Sequence, residues 1–198
     1  MAVDRGPVLK KCRTLGISPA VLGLDKKVKE DKSGRMKKKL SGYGLQLREK
    51  QKTRYFYGVG EKQFRKYFTM ASSKKGNTGE LLLQILESRL DNVVYRLGYA
   101  NTRAQARQFV NHAQFEVNGK KVNIPSYLVK VGDVITIKEN KQDNATIKAN
   151  LEANAGRPIP TWLEMDVKNA SGKVVRLASR EDIDLPIEEH LIVELYSK

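Results

Sequence analysis

The chain has a single cysteine, Cys12, and two histidines, His112 and His190, in 198 residues. One thiol excludes an intrachain disulfide and a cysteine-built zinc cluster, and it suits a reducing compartment. Two histidines so far apart are more often surface or capping residues than ligands, so no metal site and no cofactor are expected. Long apolar runs are also missing: none approaches the roughly 20 residues that span a bilayer. The segment Met1-Ala2-Val3-Asp4-Arg5-Gly6-Pro7 lacks a signal-peptide h-region and neither end carries a lipidation pattern, so a soluble cytoplasmic protein without a membrane partner is the expectation. Catalytic constellations are absent as well. The loop Ser72-Ser73-Lys74-Lys75-Gly76-Asn77-Thr78-Gly79 does not match the phosphate-binding pattern G-x-x-x-x-G-K-[ST], and no paired His and carboxylate or nucleophile elbow is visible. An enzyme with a small-molecule substrate is therefore not expected.

Acidic residues are scarce too: 22 stand against 37 Lys and Arg, a net charge of +15. Such an imbalance implies a polyanionic partner, nucleic acid ahead of membrane. The charge is uneven along the chain. Residues 1–54 are net +11, residues 55–138 net +7 and residues 139–198 net −3. An RNA backbone belongs against the first two-thirds, and the last third reads as scaffold or as a surface for a protein neighbour. With 40% hydrophobic residues the chain can still build one large core or two small ones.

Residues 1–41, which carry Lys37-Lys38-Lys39, read as an extended basic arm without sustained periodicity that orders only against a phosphate-rich partner. Ser41 begins a helix to Arg54, broken by Gly58 and Gly60, and a second helix follows over Glu61–Met70. Phe64, Tyr67 and Phe68 on that helix could stack on bases, although an aromatic stripe at this spacing is usually core. Glu80–Gly98 reads as one long amphipathic helix ended by a left-handed Gly98. Thr102 is a candidate N-cap for a helix over Arg103–Ala113. There Arg103, Arg107 and Asn111 share one face, which contains no acid to pair either arginine. Phe115–Ile124 alternates around Asn118-Gly119, a strong hairpin signal, with Lys120 and Lys121 directly after the turn. Tyr127–Val131 and a strand over Val134–Lys138 follow, joined by Gly132-Asp133. Residues 141–155 resemble a linker or a poorly paired strand, Pro158 and Pro160 bracket a turn, and Gly172–Leu177 suggests another strand. Ile187–Tyr196 fits helix or strand by period alone; its length and leading acids favour helix.

Two stretches resemble a known family. The run Leu40–Lys52, continuing through Tyr57–Phe64, is similar to the signature of the bacterial small-subunit ribosomal protein S-four family. The runs Ser88–Gly98, Thr102–His112 and Val117–Pro125 resemble the RNA-binding module named after that family, and Leu191–Lys198 is similar to its C-terminus. The resemblance implies an α+β fold: a helical domain at 42–87, an inserted domain at 88–182 with the module at about 88–150, and a C-terminal helix at 183–198 returning to the helical domain. It implies binding to a multi-helix junction in the 5′ domain of small-subunit rRNA early in assembly, beside other small-subunit ribosomal proteins. It also implies a place near where messenger RNA enters, an influence on decoding accuracy and, in some bacteria, repression of the protein's own messenger RNA. Members that bind zinc do so through four cysteines, so a chain with Cys12 alone resembles the zinc-free form. Pseudouridine synthases and tyrosyl-tRNA synthetases carry a similar module, but too few residues flank it here for their catalytic domains. Heat-shock and stalled-ribosome factors with the module would lack the Tyr43–Gln63 signature, and the module's resemblance makes a nonspecific DNA binder remote.

The expected mechanism is a grip on phosphates from two rigid domains. Arg48, Lys50, Lys52 and Arg54 supply it on the first helix, and Arg103, Arg107, Lys120 and Lys121 on the module, with each charged hydrogen bond contributing about 1.5–3 kcal/mol. Gln108, Asn111, His112 and Asn118 add uncharged hydrogen bonds, and Arg35 with Lys37, Lys38 and Lys39 extends the grip along the arm. Tyr43, Gln46, Arg89, Thr102 and Gly119 complete the expected RNA-facing set.

Overall fold

The computed structural model describes residues 6–24, 40–141, 144–166 and 169–197. They form an α+β protein that divides into two units, Met1–Leu82 with Asp184–Lys198, and Leu83–Ile183.

Among its described residues the first unit holds the helices α1 (Val8–Leu15), α2 (Gly42–Phe56), α3 (Glu61–Ser72) and, from the other end of the chain, α8 (Glu189–Ser197). Ser41 caps α2 as its sequence position suggests, accepting a hydrogen bond from the Gly44 N–H at 3.2 Å. The α2–α3 break falls at Gly58, whose φ of +62° favours glycine. On α3 the aromatic stripe is core: Phe64 and Tyr67 are buried, and Phe68 stacks on Tyr196 of α8 with ring centroids 4.5 Å apart. One expectation for the arm is corrected here. Residues 6–24 are not extended; α1 packs on α2 and buries Cys12, and a 3₁₀ turn follows at Pro19–Leu22. The stripe Val8, Leu9, Cys12, Leu15 is only two turns long, too short to stand out as a period. The rest of the arm, including Arg35, Lys37, Lys38 and Lys39, lies outside the described residues.

The long helix expected over Glu80–Gly98 is two: α4 (Thr78–Glu87) and α5 (Leu90–Arg96). The apolar stripe is interrupted there only by Arg89, and Leu86, Leu90 and Val93 carry the spacing across it, so periodicity alone does not mark the break. Tertiary partners make it possible. Arg89 is extended and bridges to Leu128, while the N–H groups of Leu90 and Asp91 donate to the Tyr127 and Pro125 carbonyls at 2.8 and 3.2 Å. A helix start left without a side-chain cap is thereby satisfied by a neighbouring segment. Gly98, at φ +85°, ends α5 as anticipated.

After α6 (Arg103–Asn111), which stops two residues before its expected end, comes a five-stranded antiparallel sheet in the order β2-β1-β3-β5-β4. Its strands are β1 (Phe115–Val117), β2 (Lys120–Lys121), β3 (Val134–Ile137), β4 (Leu163–Asp166) and β5 (Ser171–Val174). The hairpin turn has Asn118 at φ +52° and Gly119 at φ +72°, the paired positive values of a type I′ turn, and it sets Val117 opposite Lys120. Residues 145–153, expected as linker or strand, are instead α7 (Ala145–Ala153), capped by the Asn144 side chain, which accepts from Thr146 N–H at 3.0 Å. The core of the second unit gathers Leu90, Val94, Phe115, Ile135, Trp162 and Val174. Gly172 lies directly under Leu97; a Cβ there would sit 2.3 Å from Leu97 Cδ1.

Candidate nucleic-acid interface

The basic residues expected on α2 are mostly engaged within the first unit. Lys50 Nζ donates to Glu61 Oε1 at 2.8 Å, and Arg54 Nη1 donates to Glu61 Oε2 at 3.0 Å. Lys52 reaches Glu49 at 3.3 Å and the Pro186 carbonyl, while Glu49 Oε2 accepts from the Glu188 N–H at 3.2 Å. Tyr196 OH also donates to Glu61 at 3.1 Å, so the two carboxylates fasten α2, α3 and the chain entering α8. Burial pushes the Glu61 carboxyl up, but Lys50, Tyr196 and Arg54 outweigh it and hold it below the ordinary range. Gln46 is buried at 3% exposure and does not face solvent, contrary to expectation. Tyr43 is exposed at 60% and Arg48 is half-buried.

Sequence spacing overlooked three basic residues on α3. Lys62, Arg65 and Lys66 are exposed, opposite the buried Phe64, Tyr67 and Ala71. Their i, i+3, i+4 placement was the available signal.

In the second unit a buried polar layer lies beneath α6. Arg89 is fully buried; its Nε donates to Asp91 Oδ1 at 3.0 Å and its Nη2 to Oδ2 at 2.5 Å. Arg89 is therefore a core residue, a correction of its expected place at the RNA. Arg107 Nε stands 3.8 Å from the same carboxylate. Arg96 lies against Glu87, with Nη2 donating to Oε1 at 2.9 Å, and Asn92 Nδ2 donates to Glu87 Oε2 at 2.5 Å. Asn92 Oδ1 in turn accepts from Arg103 Nε at 2.8 Å. The α6 arginines thus do have acidic support, but it comes from α4 and α5 rather than from their own face. This layer fixes rotamers that would otherwise carry considerable freedom.

Thr102 caps α6, accepting from Gln105 N–H at 3.2 Å, which assigns it a structural contact. Asn118 is committed to its turn: Nδ2 donates to Asp133 Oδ1 at 2.8 Å and Oδ1 accepts from Val134 N–H at 2.9 Å. Gln108 and Asn111 on α6 and His112 at its C-cap are exposed, and Gly119, Lys120 and Lys121 are exposed on the hairpin. Their backbones pair with β1, and neither lysine side chain has a hydrogen bond or ion pair among the described residues.

No group of three or more His, Cys, Asp or Glu side chains among the described residues is placed to hold a metal ion, and no helix there is long and apolar enough to cross a membrane. A strongly basic α+β protein whose nearby acids are engaged internally while lysines of the hairpin stand exposed belongs to the nucleic-acid-binding class. Residues 4–87 match the family described as ribosomal protein S4/S9 N-terminal domain, and residues 88–135 match the S4 domain. The chain is 67% identical over 165 residues to small ribosomal subunit protein uS4 of Acetivibrio thermocellus, covering 83% of this chain and 79% of that one. It is 55% identical over 198 residues, the whole of both chains, to uS4 of Agathobacter rectalis. To uS4A of Alkaliphilus metalliredigens it is 60% identical over 165 residues, 83% of this chain and 79% of the relative. The chain belongs to the uS4 family of small ribosomal subunit proteins, which are structural RNA-binding proteins and not enzymes.

Proposed function

We propose that this protein is a primary rRNA binder of the small ribosomal subunit, gripping a folded junction in the 5′ domain and nucleating assembly around it. The observation that carries the reading is the division of labour among charges. Glu49, Glu61, Glu87 and Asp91 are engaged inside the two units, whereas Lys62, Arg65 and Lys66 on α3 and Lys120 and Lys121 on the hairpin are exposed. Exposed cations that form no ion pair among the described residues suit a phosphate backbone, and positions fixed within each unit suit RNA that is recognised by shape and 2′-hydroxyl positions.

In this reading Arg107 is held ready by the layer beneath α6, in which Arg103 is itself buried, Gln108, Asn111 and His112 add neutral hydrogen bonds, and Tyr43 and Arg48 extend the contact on α2. The arm with Arg35 and Lys37 to Lys39 neutralises further phosphate. Fixing several rRNA helices at once lowers the conformational entropy of the unassembled junction and prepares it for later proteins. Family resemblance supports neighbouring ribosomal proteins as partners, a cytoplasmic ribosome as location, a contribution to decoding accuracy, and repression of its own messenger RNA as a further role.

The test is a titration of the protein against folded 5′-domain rRNA and a plain RNA duplex of equal length across a salt series. The expected result is preference for the junction, with affinity falling about 10³–10⁵-fold between 50 and 200 mM salt, as for roughly 6–10 neutralised phosphates. Equal affinity for both RNAs would refute junction recognition.

A further inference from the structure

Asp133 is a buried acid that faces no cation: it is 8% exposed and forms no ion pair among the described residues. Its carboxylate meets two neutral donors instead. Oδ2 accepts from the Lys130 N–H at 2.8 Å, which closes the turn ahead of β3. Oδ1 accepts from Asn118 Nδ2, also at 2.8 Å and 15 residues away in sequence. The Lys130–Asp133 turn needs only the first of these bonds. The second fastens that turn to the β1–β2 hairpin, whose own geometry asks only that residue 118 tolerate positive φ. Aspartate tolerates it too, but would set two carboxylates against each other. Asn118 fits because its amide is two-sided: Nδ2 donates to Asp133 while Oδ1 accepts from the Val134 N–H at 2.9 Å. The Asn118 backbone N–H donates to the Val134 carbonyl at 2.9 Å as well.

Little else holds the tip of the hairpin. β2 is a two-residue edge strand paired with β1 alone, both of its residues are exposed, and a Cβ on Gly119 would meet nothing within 4 Å. Val122, packed against the core, anchors the far side. The register sets Lys120 opposite Val117 and Lys121 opposite Glu116, so the two side chains leave the strand on opposite faces. Cations aimed in different directions reach separate phosphates, and any tilt of the tip moves both.

We propose that Asp133 is a positioning residue for RNA binding, which through Asn118 locks the hairpin tip so that Lys120 and Lys121 meet two phosphates with little further ordering, a role that rests on the proposed rRNA binding. Its sign opposes that of charge alone, because removing an acid from a phosphate-binding surface would otherwise strengthen binding.

The experiment uses the full chain with Asp133→Asn, Asn118→Asp, the two combined, and the pair Lys120→Ala with Lys121→Ala. Each is titrated against folded 5′-domain rRNA over a salt series, at a temperature where thermal unfolding shows it folded. Asp133→Asn leaves one acceptor where the Asn118 amide and the Lys130 N–H each need one; it is expected to weaken binding about 5-fold or more with a salt slope near wild type. Asn118→Asp opposes two carboxylates and should weaken it at least as much. Combined, the two exchange donor and acceptor at unchanged net charge, and should return affinity to within about 2-fold of wild type. The lysine pair should make the slope shallower by about two contacts. Adding Asp133→Asn to that pair should change affinity less than about 2-fold, since no lysine remains to be positioned, whereas an acid that only stabilises the fold would act alike in both backgrounds. If the wild-type chain does not prefer the junction, or the lysine pair changes neither affinity nor slope, the rRNA reading of the hairpin falls. If both hold, and Asp133→Asn tightens binding, leaves it unchanged or weakens the chain without the lysines equally, the lock is wrong. Asn118→Gly keeps the turn and the net charge but removes the amide, and it decides the matter in the same two backgrounds if Asp133→Asn unfolds.

Discussion

Replacing Arg89 by Ala distinguishes a core arginine from an RNA contact. Its side chain is fully buried and grips Asp91 through two hydrogen bonds of 3.0 and 2.5 Å. Removing it strands a carboxylate of about 5% exposure, and breaking a buried pair in this way costs about 3–5 kcal/mol. Arg107, 3.8 Å from the same carboxylate, can shift to compensate, so the lower end of that range is expected. Since domains of this size have only about 5–15 kcal/mol of stability, the loss is a large part of the total. It corresponds to a fall in Tm of roughly 10–25 °C for a unit of about 100 residues. Trp162, the single tryptophan, is buried in the core of the same unit and reports its urea unfolding by fluorescence. The paired replacement Arg89→Met with Asp91→Leu removes both charges and should recover most of the midpoint. At a temperature where Arg89→Ala remains folded, the salt slope of RNA binding should match wild type. An unchanged unfolding midpoint together with a shallower salt slope would refute the assignment and return Arg89 to the RNA.

Two further expectations follow from close contacts in each unit. Gly172→Ala brings a Cβ to 2.3 Å from Leu97 Cδ1 and 2.7 Å from Cδ2, and Leu97 is itself only 2% exposed; overpacking of this kind should cost about 1–3 kcal/mol in urea titration, and a neutral result would mean that Leu97 can repack freely. Glu61, whose carboxyl is held below its ordinary range, contributes stability that is present above the unfolded pKa of about 4.3 and is lost as pH falls through the lower folded value. Glu61→Gln should therefore lower Tm most near pH 7, with the gap to wild type closing toward pH 3; a gap constant across that range would contradict the ion-pair account.

Much of the local structure was legible because its causes are local. Ser41 and Thr102 cap helices by accepting from N–H groups three residues on, and Asn118-Gly119 turns the hairpin because both residues tolerate positive φ. The amphipathic spacing of Phe64 and Tyr67 marks a core face in any context that offers one. The family signature in Leu40–Lys52 and Ser88–Pro125 is likewise a property of residue order. Net charge needs no coordinates at all.

What only the tertiary structure decided depends on partners distant in the chain. The break between α4 and α5 exists because the Tyr127 and Pro125 carbonyls take N–H groups that a continuous helix would have bonded internally. The α6 face lacks an acid in sequence, yet Asp91 approaches Arg107 and Asn92 links Arg103 to Glu87. Lysines that look alike along α2 differ from those on the hairpin because Glu61 of α3 and Pro186, ahead of α8, bring a carboxylate and a carbonyl to the former. A charge becomes a structural tie or an available contact according to what folding places within about 4 Å of it, a distance that linear spacing does not encode.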